Sequence, residues 1–136
     1  MSHVASIALS GMTAATRRLE VSARNVANAR SAGPLPSADP AIVQRYPAAY
    51  APKRVDQVET AGGGTRAIVT PVSPAHVAVA DPSAPYADAD GLVAAPNVDF
   101  AEEAVNQLIA RYSFAFNALV LRSHGQMMKS VIDMTA

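Results

Sequence analysis

The chain has 136 residues, no cysteine and a formal net charge of zero, with 11 basic against 11 acidic side chains. This excludes disulfides, thiolate zinc sites and cysteine nucleophiles, and it leaves no positive field for phosphate-driven binding of nucleic acid. Half of the residues are hydrophobic, but alanine is the commonest of them, and Val, Ile, Leu and Phe together make up about a fifth of the chain, just above the composition at which chains fail to fold alone.

The length fits one modest domain or two very small ones, with a shallow private core, so the folded state is expected to need neighbours. No apolar run reaches the roughly 18 residues of a membrane span. The start, Met1-Ser2-His3-Val4, lacks a basic n-region, and the apolar run from Val4 to Ala15 is diluted by Ser6, Ser10, Gly11 and Thr13. No cleaved signal peptide is expected. All ten prolines fall between Pro34 and Pro96. Both ends can therefore be long helices and the middle cannot.

Residues 2 to 29 read as the first helix. Ala8, Met12, Ala15, Leu19, Ser22 and Val26 follow heptad steps and form one seam. Its alanines and serine bury little but allow close approach of another helix. Residues 30 to 50 read as an irregular connector. Lys53 to Thr60 and Thr65 to Val72 read as strands joined by Ala61-Gly62-Gly63-Gly64, which predicts a hairpin. Val77 and Val79 mark a third strand. Asp88-Ala89-Asp90-Gly91 reads as a turn in which Asp side chains accept backbone N–H bonds.

The last segment, Asp99 to Met134, reads as a helix of about 54 Å. Asp99 and Glu102 form a capping pair, and Glu103 adds charge favourable to the helix dipole. Ala101, Val105, Leu108, Tyr112, Ala115 and Leu119 make one apolar ladder. Phe114, Ala118, Leu121, Gly125, Met128 and Ile132 make a second, and Gly125 is a place for a bend. So long a helix suits a coiled coil or an assembly. The predicted fold is mainly α, a discontinuous coiled-coil-like domain of two terminal helices (1–30 and 97–136) with a small Pro-rich β/loop insert (31–96).

Chemistry is sparse in this pattern. An EF-hand register that puts Gly91 at its sixth position places Tyr86 first and Asn97 twelfth, and neither serves. The glycines at 62–64 lack a following Gly-Lys-Ser/Thr. His3, His76 and His124 share no ligand or triad spacing. No catalytic or cofactor-binding set stands out, and no metal set does. A metal-dependent hydrolase using Asp88, Asp90 and His76 is the weakest reading, and a small cytoplasmic coiled-coil adaptor or export chaperone is the main alternative.

Three blocks carry a family resemblance. Asn25-Val26-Ala27-Asn28-Ala29 resembles the N-[LIV]-A-N-A signature of the axial proteins of the bacterial flagellum. Asp81-Pro82, Pro85, Ala87 to Gly91, Val93, Pro96-Asn97-Val98 and Glu102-Glu103 resemble the pattern DP…P.ADADG.V..PNV…EE. Asn117, Leu121, Met127-Met128-Lys129 and Asp133 resemble the closing helix. Together they look like the proximal rod protein family FlgC. Arg30 and the longer 31–52 stretch replace the family's usual Thr and short link, and Phe114 stands at the usual tyrosine.

The resemblance implies a non-enzymatic rod subunit without cofactor or small-molecule substrate, which neither binds nucleic acid nor spans a membrane. Such a subunit is exported by the flagellar type III apparatus without a cleaved signal. It assembles helically in the periplasm with copies of itself, other rod proteins, and components of the basal-body ring and export gate. Leu19, Val26, Val105, Leu108, Leu119, Leu121, Met128 and Ile132 are then expected at the interface or in the seam within the subunit. Asn25 and Asn28 are expected to satisfy backbone groups where the first helix ends, and Asp88 and Asp90 to shape the turn back to the second helix.

Overall fold

Two long helices at the chain ends bracket a small β region. The computed structural model describes residues 3–135, and side chains as far as residue 134. In chain order the elements are α1 (His3–Asn28), α2 (Pro40–Arg45), β1 (Lys53–Glu59), β2 (Thr65–Pro71), β3 (His76–Ala80), β4 (Leu92–Pro96) and α3 (Phe100–Thr135). The strands form two separate antiparallel pairs, β1–β2 and β3–β4. "Mainly α" therefore describes the molecule only roughly.

Helix α3 starts where its cap predicts. The Asp99 carboxylate accepts from the N–H groups of Ala101 at 2.8 Å and Glu102 at 3.3 Å, satisfying donors that a helix N-terminus leaves free. The helix then runs through Gly125 without interruption. Helix α1 packs antiparallel to it. Asn25 meets Glu103 near the start of α3, and Gly11 lies against Asn117. Between them, Ser22 Oγ donates to the Glu103 carbonyl at 3.1 Å and Arg18 donates to Asn106 at 3.3 Å.

The face of α1 turned to α3 is Ala8, Gly11, Ala15, Arg18, Ser22 and Asn25. The facing positions of α3 are Glu103, Asn106, Ala110, Ser113 and Asn117. All are buried or half-buried, and none is a large aliphatic or aromatic side chain. A Cβ at Gly11 would lie 2.6 Å from Asn117 Oδ1, so any side chain there would have to displace the Asn117 amide. Ala8, Ala15 and Ser22 occupy the expected seam. Met12, Leu19 and Val26 do not: they sit one residue further round, Met12 half-buried beside Gly11, Leu19 and Val26 40% and 38% exposed. Arg18 and Asn25 take the seam positions because they have hydrogen-bond partners on α3.

The β1–β2 hairpin lies beside α1, in register from Lys53↔Pro71 to Glu59↔Thr65. Its turn needs glycine, since Gly62, Gly63 and Gly64 all have φ between 85° and 95°. The tip is fastened to α1 by Thr65 N–H donating to Ser10 Oγ at 3.1 Å.

Two elements depart from the sequence reading. The connector contains a short helix, α2, whose N-cap Asp39 accepts from Ala41 N–H at 2.8 Å and whose first residue is Pro40. The Asp-Pro pair is a helix start signal. Strand β4 was not expected either. It pairs with β3 from His76↔Pro96 to Ala80↔Leu92 and, on its other edge, exchanges two hydrogen bonds between Gly33 and Ala94 at 3.1 and 2.9 Å. Flanked on both edges, Val93 and Ala94 are buried. Other buried hydrophobic positions are mostly alanine, with Val21 the one further large residue among those described.

Gly33 leaves no room for substitution, because an added Cβ would lie 2.5 Å from Ala49 N and 2.6 Å from the Pro47 carbonyl. Gly33→Ala is expected to lower stability by about 1–3 kcal/mol, read as a lower urea midpoint. An unchanged midpoint contradicts this packing.

Candidate functional site

Asn25 is the centre of the molecule's polar network and is only 1% exposed. Its Nδ2 donates to the Lys53 carbonyl at 2.6 Å and to Glu103 Oε1. Its Oδ1 accepts from Tyr50 Oη at 3.0 Å and from Lys53 N–H at 3.1 Å. Both donors and both acceptor positions of the amide are thus used, and one side chain joins α1, the connector, β1 and α3. This corrects two expectations. Asn25 serves the backbone of β1 rather than the end of its own helix. Glu103 is 8% exposed and holds Asn25 rather than sitting at the surface as a dipole charge. Asn28 does serve the helix end, donating to the Arg24 carbonyl at 2.8 Å. Ala27 and Glu102 are exposed.

The acidic turn is structural. Asp88 Oδ1 accepts from the N–H groups of Asp90 at 2.9 Å and Leu92 at 2.8 Å, and the Gly91 N–H donates to the Asp88 carbonyl. Asp90 joins this turn through its backbone. Gly91 has φ 74°, and a Cβ there would press on Pro82 at 3.0 Å. Downstream, Pro96 is buried at the end of β4. Asn97 ties the turn to the foot of β3 through Pro74 and Ala75, and the Val98 N–H donates to the Pro96 carbonyl. This block thus returns the chain from β4 to the cap of α3. Among the described residues, no group of three or more His, Asp or Glu could hold a metal ion, and no helix is long and apolar enough to cross a membrane.

The extensive remaining feature is apolar and faces outward. On α3 the ladder Ala101, Val105, Leu108, Tyr112, Ala115 and Leu119 lies opposite the face that meets α1, and all six are exposed. Tyr112 is 62% and Leu119 61% exposed. Of the second ladder, Ala118 and Leu121 are half-buried, flanking α1, while Phe114, Met128 and Ile132 are exposed. An open groove between the helices is lined by Ala15, Thr16, Leu19, Ala110, Arg111 and Phe114. Helix α3 also runs on beyond the first described residue of α1: in the register of Asn25 with Glu103 and Gly11 with Asn117, residue 125 is level with His3, and residues 126–134 are all exposed. A run of exposed apolar side chains along one helix face is uncommon on a monomeric protein.

Tyr50, Lys53 and Asn117 were not singled out by the sequence as partners of the first helix. The available signal was Asn25 itself, three residues beyond Ser22 on the same seam. Removing its amide leaves the Lys53 backbone, the Tyr50 hydroxyl and the Glu103 carboxylate without their partner. Asn25→Ala is expected to cost at least about 2 kcal/mol, measured by urea unfolding, and a loss within error of zero contradicts the network. Burial pushes the Tyr50 phenol above its ordinary 10.0, with Arg24 opposing and Glu103 adding to the shift. A phenol whose folded pKa is raised favours folding fully below pH 10, and that contribution is lost as pH rises through the folded value. Stability is therefore expected to fall more steeply above about pH 10 in the parent than in Tyr50→Phe; equal alkaline slopes contradict this.

No family model matches the chain. Curated proteins do. It is 31% identical over 140 residues to the flagellar basal-body rod protein FlgC of Agrobacterium fabrum, covering 98% of this chain and 94% of that protein. It is 34% identical over 135 residues to the protein of the same name from Salmonella typhimurium, covering 97% and 96%. It is also 34% identical over 133 residues to the one from Escherichia coli O157:H7, with the same coverage. Since the match runs through both terminal helices and the insert alike, the chain belongs to the flagellar basal-body rod protein FlgC family.

Proposed function

We propose that this chain is a structural, non-enzymatic subunit of the proximal rod of the flagellar basal body, built into a helical wall through its two terminal helices. In this reading residues 1–30 and 97–136 form one discontinuous rod core domain, and residues 31–96 are an insert that reaches neighbouring subunits. The chain leaves the cell interior through the flagellar type III apparatus without a cleaved signal and assembles in the periplasm. Its partners are copies of itself, other rod proteins, and components of the basal-body ring and export gate. The assembled rod transmits torque.

The outward ladder of α3 is the observation that supports this reading most. Val105, Leu108, Tyr112 and Leu119 repeat at heptad spacing on the exposed side of α3, away from the residues that meet α1, so a neighbouring helix can cover them by knobs-into-holes packing. Leu19, Val26, Leu121, Met128 and Ile132 extend the same surface to the flanks and the far end. A heterologous contact that does not close on itself produces a helical filament. The family of the chain favours this over a cytoplasmic adaptor.

The test separates folding from assembly. Leu108→Glu and Tyr112→Glu alter exposed positions and are expected to change monomer stability by no more than about 0.5 kcal/mol. In a strain lacking the chromosomal copy, both variants are expected to abolish swimming and rod formation. Normal motility with either variant refutes an interface on this face.

A further inference from the structure

The contact between α1 and α3 is set by two devices spaced equally on both helices. Asn25 and Gly11 are fourteen residues apart on α1, and so are their counterparts Glu103 and Asn117 on α3. One device is the hydrogen bond of a buried amide to a buried carboxylate. The other is the slot at Gly11, which admits the Asn117 side chain because glycine has none of its own. Between them lie Ala15, Ser22, Ala110 and Ser113, small residues that distinguish poorly between registers, and one part-buried hydrogen bond from Arg18 to Asn106.

A one-heptad slide offers a competing arrangement. If α1 moved about 10 Å towards the C-terminal end of α3, Val4 would come level with Val131, Ala8 with Met127, and Ile7 with Met128. Val4, Ile7, Met127, Met128 and Val131 are now exposed, so hydrophobic burial favours that slide. The slide would part Asn25 from Glu103, Ser22 from the Glu103 carbonyl and Arg18 from Asn106. It would leave the Asn25 amide facing Ala110, and it would set Asn117 against Arg18 instead of Gly11. We propose that the Asn25–Glu103 bond and the Gly11–Asn117 slot form a register lock, which holds α1 back from this slide and so keeps Met127 and Met128 exposed. A buried polar contact that selects one register at the expense of apolar burial is the best-attested use of such groups. The inference concerns the single chain and stands apart from any reading of how chains assemble.

The absence of cysteine makes the lock directly measurable. In the full chain, the pair Ala15→Cys and Ser113→Cys is level in the observed register. The pair Ala15→Cys and Val120→Cys is level only after the slide, and Ala15→Cys with Ser130→Cys is level in neither. Each pair is placed in the parent, in Glu103→Leu, in Asn25→Leu and in Glu103→Gln, and the rate of disulfide formation is followed. Glu103→Leu leaves the bonds of Asn25 to Lys53 and Tyr50 intact, so it retains the base of the hairpin. Expected is at least a tenfold faster reaction of the 15/120 pair in Glu103→Leu than in the parent, with a slower 15/113 pair. Glu103→Gln, whose amide oxygen still accepts from Asn25, is expected to behave as the parent. Unchanged rates for the 15/113 and 15/120 pairs in both leucine variants overturn the proposal. So does equal reaction of all three pairs, which signals loss of fold rather than a slide.

Discussion

The seam between α1 and α3 contains no large apolar side chain, and the rest of the structure follows from that. Ala8, Gly11, Ala15 and Ser22 let the helices come close, and Asn117 fits where a side chain at Gly11 would collide. Close approach gives good dispersion contact but removes little apolar area from water. Val105, Leu108, Tyr112, Leu119 and the methionines of α3 are left on the outside. In a protein finished as a monomer these side chains would form the core. Here the polar and small residues face inward and the apolar ones outward, which suits a subunit whose core is completed by other chains.

A structure with so little apolar core needs another source of specificity, and the polar hub supplies it. Asn25 uses all four of its hydrogen-bonding positions on Tyr50, Lys53 and Glu103. It thereby fixes the base of the hairpin to the point where α1 crosses the start of α3. At the other end of the hairpin, Ser10 holds Thr65. The insert is thus fastened along α1 at two places, on a side away from the outward ladder of α3. Asp88, Gly91 and Asn97 complete the arrangement by turning the chain back into the Asp99 cap. The residues that resemble the family signature are therefore largely those that shape turns and join segments.

Much of this was legible in the sequence because the signals were local. The distribution of proline located both helices, Asp99 marked the start of α3 and the glycines at 62–64 placed the hairpin turn. Strand β4 was obscured because Ala94, Ala95 and Pro96 carry weak strand propensity, and its pairing with Gly33 spans some sixty residues of chain. Helix α2 was hidden within a proline-rich stretch despite its Asp39-Pro40 start. The seam of α1 was read one residue off at Leu19 and Val26, since hydrophobic periodicity assumes that apolar residues face inward. In this chain the inward face is polar and small, so periodicity finds it at Ala8, Ala15 and Ser22 but takes the larger Met12, Leu19 and Val26 in place of Gly11, Arg18 and Asn25. The first ladder on α3 is exposed throughout and the second is partly half-buried beside α1; which side of α3 meets α1 is set by Glu103 and Asn117, whose roles are visible only in three dimensions.

The central claim is that the outward face of α3 is open in the single chain and covered in the rod. Thiol labelling tests it directly, because a cysteine placed at Leu108 would be the protein's single thiol. The account predicts rapid reaction with a water-soluble maleimide in the purified chain and strong protection in isolated basal bodies that contain the same variant. Equal reactivity in both would contradict it.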